Sequence, residues 1–243
     1  MKQATQIIAA AILMGMTQAA AALDFRPIVG YEWSKISGSV QDGNDELSLK
    51  NDLGIEKSNQ TLAGFQIGAL GQHLRFRYLP YAFDGRNTLS RDVDFGGENF
   101  TVNDDVESSI KLTEYALDYR FIPINTPLGY LGMGLGVNVF DSEIVLKTDT
   151  DEAKSSATLP IPTLGVAAGI HLPLTGLTIN GDLSGLAYDG NSYRNLELNL
   201  DYQPFALMGL RVGYRDRQVK LESGDLKVDF KLSGPFAALW VGF

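Results

Sequence analysis

The chain has 243 residues and no cysteine, which excludes disulfides, thiolate metal sites and a lipid-anchored cysteine. Its formal charge of −9 argues against a nucleic-acid partner, because phosphate recognition needs a concentrated basic surface. Twenty-six glycines and 10% aromatic residues at ordinary overall hydrophobicity favour strands and tight turns over helices, in one domain.

The N-terminus reads as a secretory leader. Lys2 supplies the positive charge, residues 7–16 are apolar, and Ala19 to Ala22 offer small residues for cleavage after Ala22. The apolar run is shorter than the roughly 20 residues of a spanning helix. Residues 1–22 are therefore assigned to a signal peptide and 23–243 to the mature domain.

From Phe25 onward the pattern is strands and turns. Phe25, Val29, Tyr31 and Trp33 alternate with Arg26, Gly30 and Glu32. Residues 41–45 form a turn by composition, and Leu47 to Gln60 reads as an irregular strand or an outer loop. Alternation resumes at Thr61 to Ala69, then at Leu74, Phe76 and Tyr78 against Arg75 and Arg77. In the clearest strand, Tyr115, Leu117, Tyr119 and Phe121 oppose Glu114, Asp118 and Arg120. Leu131 to Val139 alternates with Gly132, Gly134 and Gly136, and Leu164 to Leu172 with Gly165 and Gly169. Ile179 and Leu183 then oppose Asp182, and Leu196 to Tyr202 oppose Glu197 and Asp201. Leu210, Val212 and Tyr214 oppose Arg211 and Arg215, and residues 217–224 read as a polar outer loop. In the last strand Phe230 and Leu232 have even parity but Leu239, Val241 and Phe243 odd, which predicts a bulge near Gly234-Pro235.

Alternation alone does not separate a soluble barrel from a membrane barrel, but the composition of the polar face does. Soluble strands carry branched or charged residues outside, whereas this chain sets glycine, Asn, Ser and Thr opposite long aliphatic runs. Small residues suit a crowded barrel interior, and the segments match the 9 to 11 residues of a bilayer-spanning strand. Phe25, Phe121, Tyr130, Tyr202, Phe205 and Phe243 fall at strand ends on one side, as in an aromatic girdle.

A leader, up-and-down alternation to the end of the chain, and the closing motif Ala237-x-Leu239-x-Val241-x-Phe243 resemble bacterial outer-membrane β-barrel proteins. The resemblance implies an all-β, antiparallel up-and-down transmembrane β-barrel in the Gram-negative envelope, small and porin-like. We count about ten strands, with eight or twelve as the alternatives. It further implies outer-membrane lipid as the surrounding medium, and barrel-assembly machinery that reads Trp240 and Phe243 as a membrane-insertion signal.

Twelve charged residues are expected to line the lumen: Arg26, Glu32, Arg75, Arg77, Glu114 and Asp118 from the first half, and Arg120, Asp182, Glu197, Asp201, Arg211 and Arg215 from the second. Hydrocarbon would charge several kcal/mol for each such group, so a closed barrel must hold them inside. They either fill the interior as a structural network that anchors surface loops or line a narrow path for ions and small solutes. A lipid hydrolase is the third reading, yet His73 and His171 sit near turns with no nucleophile motif beside them. No enzyme, cofactor or metal site is expected.

Overall fold

Backbone groups facing hydrocarbon must be satisfied within the chain, and strands do this only when the sheet closes on itself. This computed structural model describes residues 23–42, 45–95, 97–188, 190–223 and 226–242; the leader assigned to residues 1–22 and the terminal Phe243 lie outside the described residues. Among the described residues, ten long strands make the wall. The first five are β1 (Asp24–Asp42), β3 (Lys57–Ala69), β4 (Gln72–Thr88), β7 (Asp105–Thr126) and β8 (Gly129–Lys147). The second five are β9 (Glu152–Leu172), β10 (Leu177–Tyr188), β11 (Asn191–Phe205), β12 (Met208–Ser223) and β13 (Leu226–Val241). Each pairs antiparallel with the next, and β13 pairs with β1 to complete the barrel.

The two ends differ. At one, the strands join through tight turns such as Leu70-Gly71, whose positive φ angles of 53° and 76° match the primed turns that suit a twisted hairpin. At the other, the connections include three short strands, β2 (Asp45–Ser48), β5 (Val93–Phe95) and β6 (Glu98–Phe100).

Side-chain chemistry inverts part-way along the strands while the alternation continues. On β1, Phe25, Val29, Tyr31 and Trp33 are exposed on the outer face, followed on that face by Lys35 and Ser37. Its inner face runs from Arg26 through buried Glu32 and Ser34 to buried Ile36 and Val40. On β7 the outer face passes from Phe121, Leu117 and Tyr115 to Lys111 and Glu107, and the inner face from Asp118 and Glu114 to Leu112, Ile110 and Val106. The short-turn half is thus apolar outside and polar inside, whereas the long-loop half is polar outside and apolar inside. The first arrangement suits a bilayer and the second suits water.

This inversion corrects the expected bulge near Gly234-Pro235. The pairing of β13 with β12 is continuous through both residues, and its register with β1 is the same on either side of them. Phe230 and Leu232 point inward, while Leu239 and Val241 point outward. The apolar residues change parity because the apolar face changes sides. Gly234 has its own reason: a Cβ there would stand 1.8 Å from the Trp33 carbonyl oxygen, so the β13–β1 seam admits only glycine.

The ambiguous stretch from Leu47 to Gln60 divides into β2, a turn and the start of β3. Leu47, Leu49, Leu53 and Ile55 are each at most 1% exposed and join the apolar cluster inside the long-loop half. Phe95, Phe100 and Leu89 come into the same cluster from the connection between β4 and β7. Each such buried side chain contributes about 1.5–3 kcal/mol. The segment is therefore a stopper, held by Leu49 N–H donating to Gly38 O at 3.0 Å and Ile36 N–H donating to Glu56 O at 3.0 Å.

Asp45 ties the two connections together, accepting from the Asp94 backbone N–H at 2.9 Å and pairing with Arg91 at 2.9 Å. The Asp94 N–H, with Arg91 beside it, holds the Asp45 carboxyl below the usual carboxylate range. A depressed pKa means the tie is complete above about pH 4, the unfolded value, and is lost as the pH falls through the lowered one. Limited proteolysis of folded protein is expected to cut residues 89–104 faster below about pH 4 than at neutrality, and Asp45→Asn to cut equally fast at both. The closed barrel itself predicts different gel mobility for unboiled and boiled samples in denaturing detergent.

Candidate functional site

The polar half of the interior is built on Arg residues and carboxylates of the same parity on facing strands. Arg217 pairs with Glu114 at 2.6 Å and Glu32 at 2.8 Å, and Arg215 joins Glu32 to Glu197, the latter at 2.9 Å. Arg77 continues the chain from Glu197 at 3.4 Å to Asp118 at 3.1 Å. Arg75 bridges Asp118 at 3.3 Å and Asp182 at 3.7 Å, and Arg120 pairs with Asp182. Charges alternate along this path, so every carboxylate lies between two arginines except Glu114 at its end. Tyr81 and Tyr193 donate to Glu32 and Glu114 from the apolar side, at 3.3 Å and 3.5 Å. The path crosses the barrel immediately below the apolar cluster.

Glycine makes room for it. A Cβ on Gly136 would meet Asp118 Oδ1 at 2.7 Å, and one on Gly134 would stand 3.1 Å from Arg120 Cγ. The glycine run on β8 is therefore occupied by charged side chains from β7, which leaves no widened lumen there.

Nine of the twelve residues expected in the lumen lie on this path. The other three stand nearer the short turns: Arg211 pairs with Asp201, and Arg26 with Asp24 at 2.8 Å. Trp240 points inward, where it donates to Asp201 at 2.7 Å and carries the Arg26 guanidinium 4.7 Å above its ring. Tyr130, expected in the lipid-facing girdle, also points inward and donates to Asn180 at 2.9 Å. On β8 it shares the inward parity of Gly132 and Gly134, opposite to that of Leu131 and Met133. Phe25, Phe121, Tyr202 and Phe205 are exposed at that end. A second ring of Tyr31, Trp33, Tyr115 and Tyr214 marks the level where the outer face turns polar.

Arg217 escaped the sequence reading, which placed it in an outer loop. It is 1% exposed within β12. Its parity with Arg211 and Arg215 was the available signal, and it was masked because the outward residues from Asp216 onward are polar.

No protein-family model matches the sequence, and no curated protein matches it. Among solved structures it is similar to the outer membrane protease OmpT of Escherichia coli, with a TM-score of 0.64 at 8% identity over 94% of this chain and 99% of that one. It is also similar to the β domain of the Bordetella autotransporter BrkA, with a TM-score of 0.50 at 11% identity over 92% of this chain and 100% of that one. The fold is that of a bacterial outer-membrane β-barrel. At these identities the likeness extends to the fold alone.

Removing one member of a buried ion pair leaves its partners charged and uncompensated, at a cost of about 3–5 kcal/mol. Arg217→Met is expected to lower the unfolding free energy by about that much in urea titrations of the refolded barrel. Lys220→Met, which breaks the exposed pair with Asp229, is expected to leave the midpoint unchanged.

Proposed function

We propose that this chain is an integral outer-membrane protein whose barrel is closed to through-flow and serves as a structural or surface-interaction barrel. The observation that carries this reading is the stacking of two different fillings: the buried Arg–carboxylate path, and above it the apolar cluster capped by the stopper of residues 47–55. A diffusion path would need both removed. In this reading the short turns face the periplasm and the longer connections face the exterior, as in outer-membrane barrels generally. The leader is cleaved after Ala22, the assembly machinery acts on the closing strand, and lipid covers the apolar belt.

The same placement favours a non-enzymatic role. His73 contacts Gln66 at 3.3 Å and His171 contacts Thr178 at 3.1 Å, both at the short-turn end. Among the described residues neither imidazole is hydrogen-bonded to a carboxylate that would orient it as a general base. A narrow channel remains the competing reading, since an ion path through the polar half alone would meet charged walls.

Planar-bilayer recording separates the two. Purified barrel is expected to give no reproducible conductance steps, and Arg75→Ala combined with Arg77→Ala is expected to stay silent because the apolar filling above them is intact. Regular open steps from the unaltered protein would overturn the closed-barrel reading.

A further inference from the structure

Beneath the two fillings the barrel is open at its short-turn end. There the wall encloses a cavity of about 360 Å³, lined among others by Arg26, Arg75, Arg120 and Arg211 on one side and by Asp182 and Asp201 on the other. The basic groups come from β1, β4, β7 and β12, and the acidic ones from the adjacent strands β10 and β11. The cavity therefore has a positive crescent facing a negative strip.

Neither side is saturated. Arg26 bonds Asp24 through Nε only, and Arg211 bonds Asp201 through Nε and Nη2. Both terminal nitrogens of Arg26 and Nη1 of Arg211 are thus without a hydrogen-bond partner among the described residues. On the opposite side Asp182 is 5% exposed; its Oδ2 takes Arg120 and Arg75, while its Oδ1 is buried and has no partner. An unpaired buried carboxylate oxygen calls for a donor, and free guanidinium N–H groups call for an anion.

We propose that this cavity is a binding site for a small zwitterion of the dipeptide class, its carboxylate held by Arg26 and Arg211 and its ammonium donating to Asp182 Oδ1. Arg26 and Arg75 stand opposite Gln66 on either side of β3, and Arg75 contacts Asp182, so the two charged sides belong to one cavity whose volume of about 360 Å³ admits a dipeptide. Trp240 and Tyr130 also line the cavity. The site faces the periplasm, a placement that rests on the orientation proposed above.

The two histidines of the chain, His73 and His171, both line the cavity, so they report on it without interference. Histidine-ring NMR of the full chain refolded in micelles, titrated with glycylglycine, is expected to show saturable shifts of both rings. Acetate and methylammonium, each carrying one of the two charges, are expected to bind at least about tenfold more weakly. Asp182→Asn is expected to weaken glycylglycine about tenfold without weakening acetate, since it frees Arg75 and Arg120, and Arg26→Gln to weaken both. Should Asp182→Asn fail to fold, Arg26→Gln decides alone, since Arg26 lies outside the buried path. Absence of a saturable shift in heat-modifiable, folded protein would overturn the proposal. Acetate or inorganic phosphate binding as tightly as glycylglycine, or unchanged binding in Arg26→Gln, would do so equally. Conductance steps would sink the closed-barrel reading while leaving a saturable histidine shift intact, so the two fail separately.

Discussion

A strand that leaves the bilayer keeps its alternation but changes its outer solvent, and the barrel is arranged around that change. Below Trp33 and Tyr115 the outer residues meet hydrocarbon, so charge is confined to the interior. Above them the outer residues meet water, and Lys35, Lys111 and Lys231 stand outside while Ile36, Ile110 and Phe230 turn in. One continuous sheet thus contains a membrane barrel and a water-soluble one end to end. The interior inherits two fillings of opposite character, meeting where Tyr81 and Tyr193 present apolar rings upward and hydroxyls downward to Glu32 and Glu114.

Filling the polar half with charge requires that every charge find a partner, because an unpaired one costs several kcal/mol. The alternating order of arginine and carboxylate from Glu114 to Arg120 achieves this across strands that are far apart in the chain, as in the Arg217–Glu32 contact. Glycines on β8 leave the volume that Asp118 and Arg120 occupy. A network assembled this way orders the strands around the barrel as well as through their ladders. Beside its Arg120 end, Asp182 Oδ1 is left without a partner, and there the cavity begins.

The barrel was legible because period-two alternation survives in almost every long segment, and the inward charges followed from parity within each segment. Where the reading departed from the structure, the cause was the assumption that one face stays apolar along a whole strand. That assumption turned the parity change between Leu232 and Leu239 into a bulge. It also sent Arg217 to a loop, since a strand flanked by Asp216 and Gln218 lacks an apolar face to recognise. Leu47, Leu49, Leu53 and Ile55 resisted assignment for a different reason: they share one parity, but Asn51-Asp52 and Gly54 break the run into a turn, and the segment packs as a plug and not as a wall.

By itself, then, the sequence determined the strand period, the direction of most charged side chains in the membrane half, and the closed antiparallel sheet, all of which are local consequences of alternation and turn chemistry. Only the tertiary structure decided which arginine meets which carboxylate, that the long-loop half carries an apolar core, and that a polar cavity survives at the other end. Those features depend on strand register around a closed ring, where side chains 100 or more positions apart in the chain come within a few ångströms, and no local pattern encodes such distances.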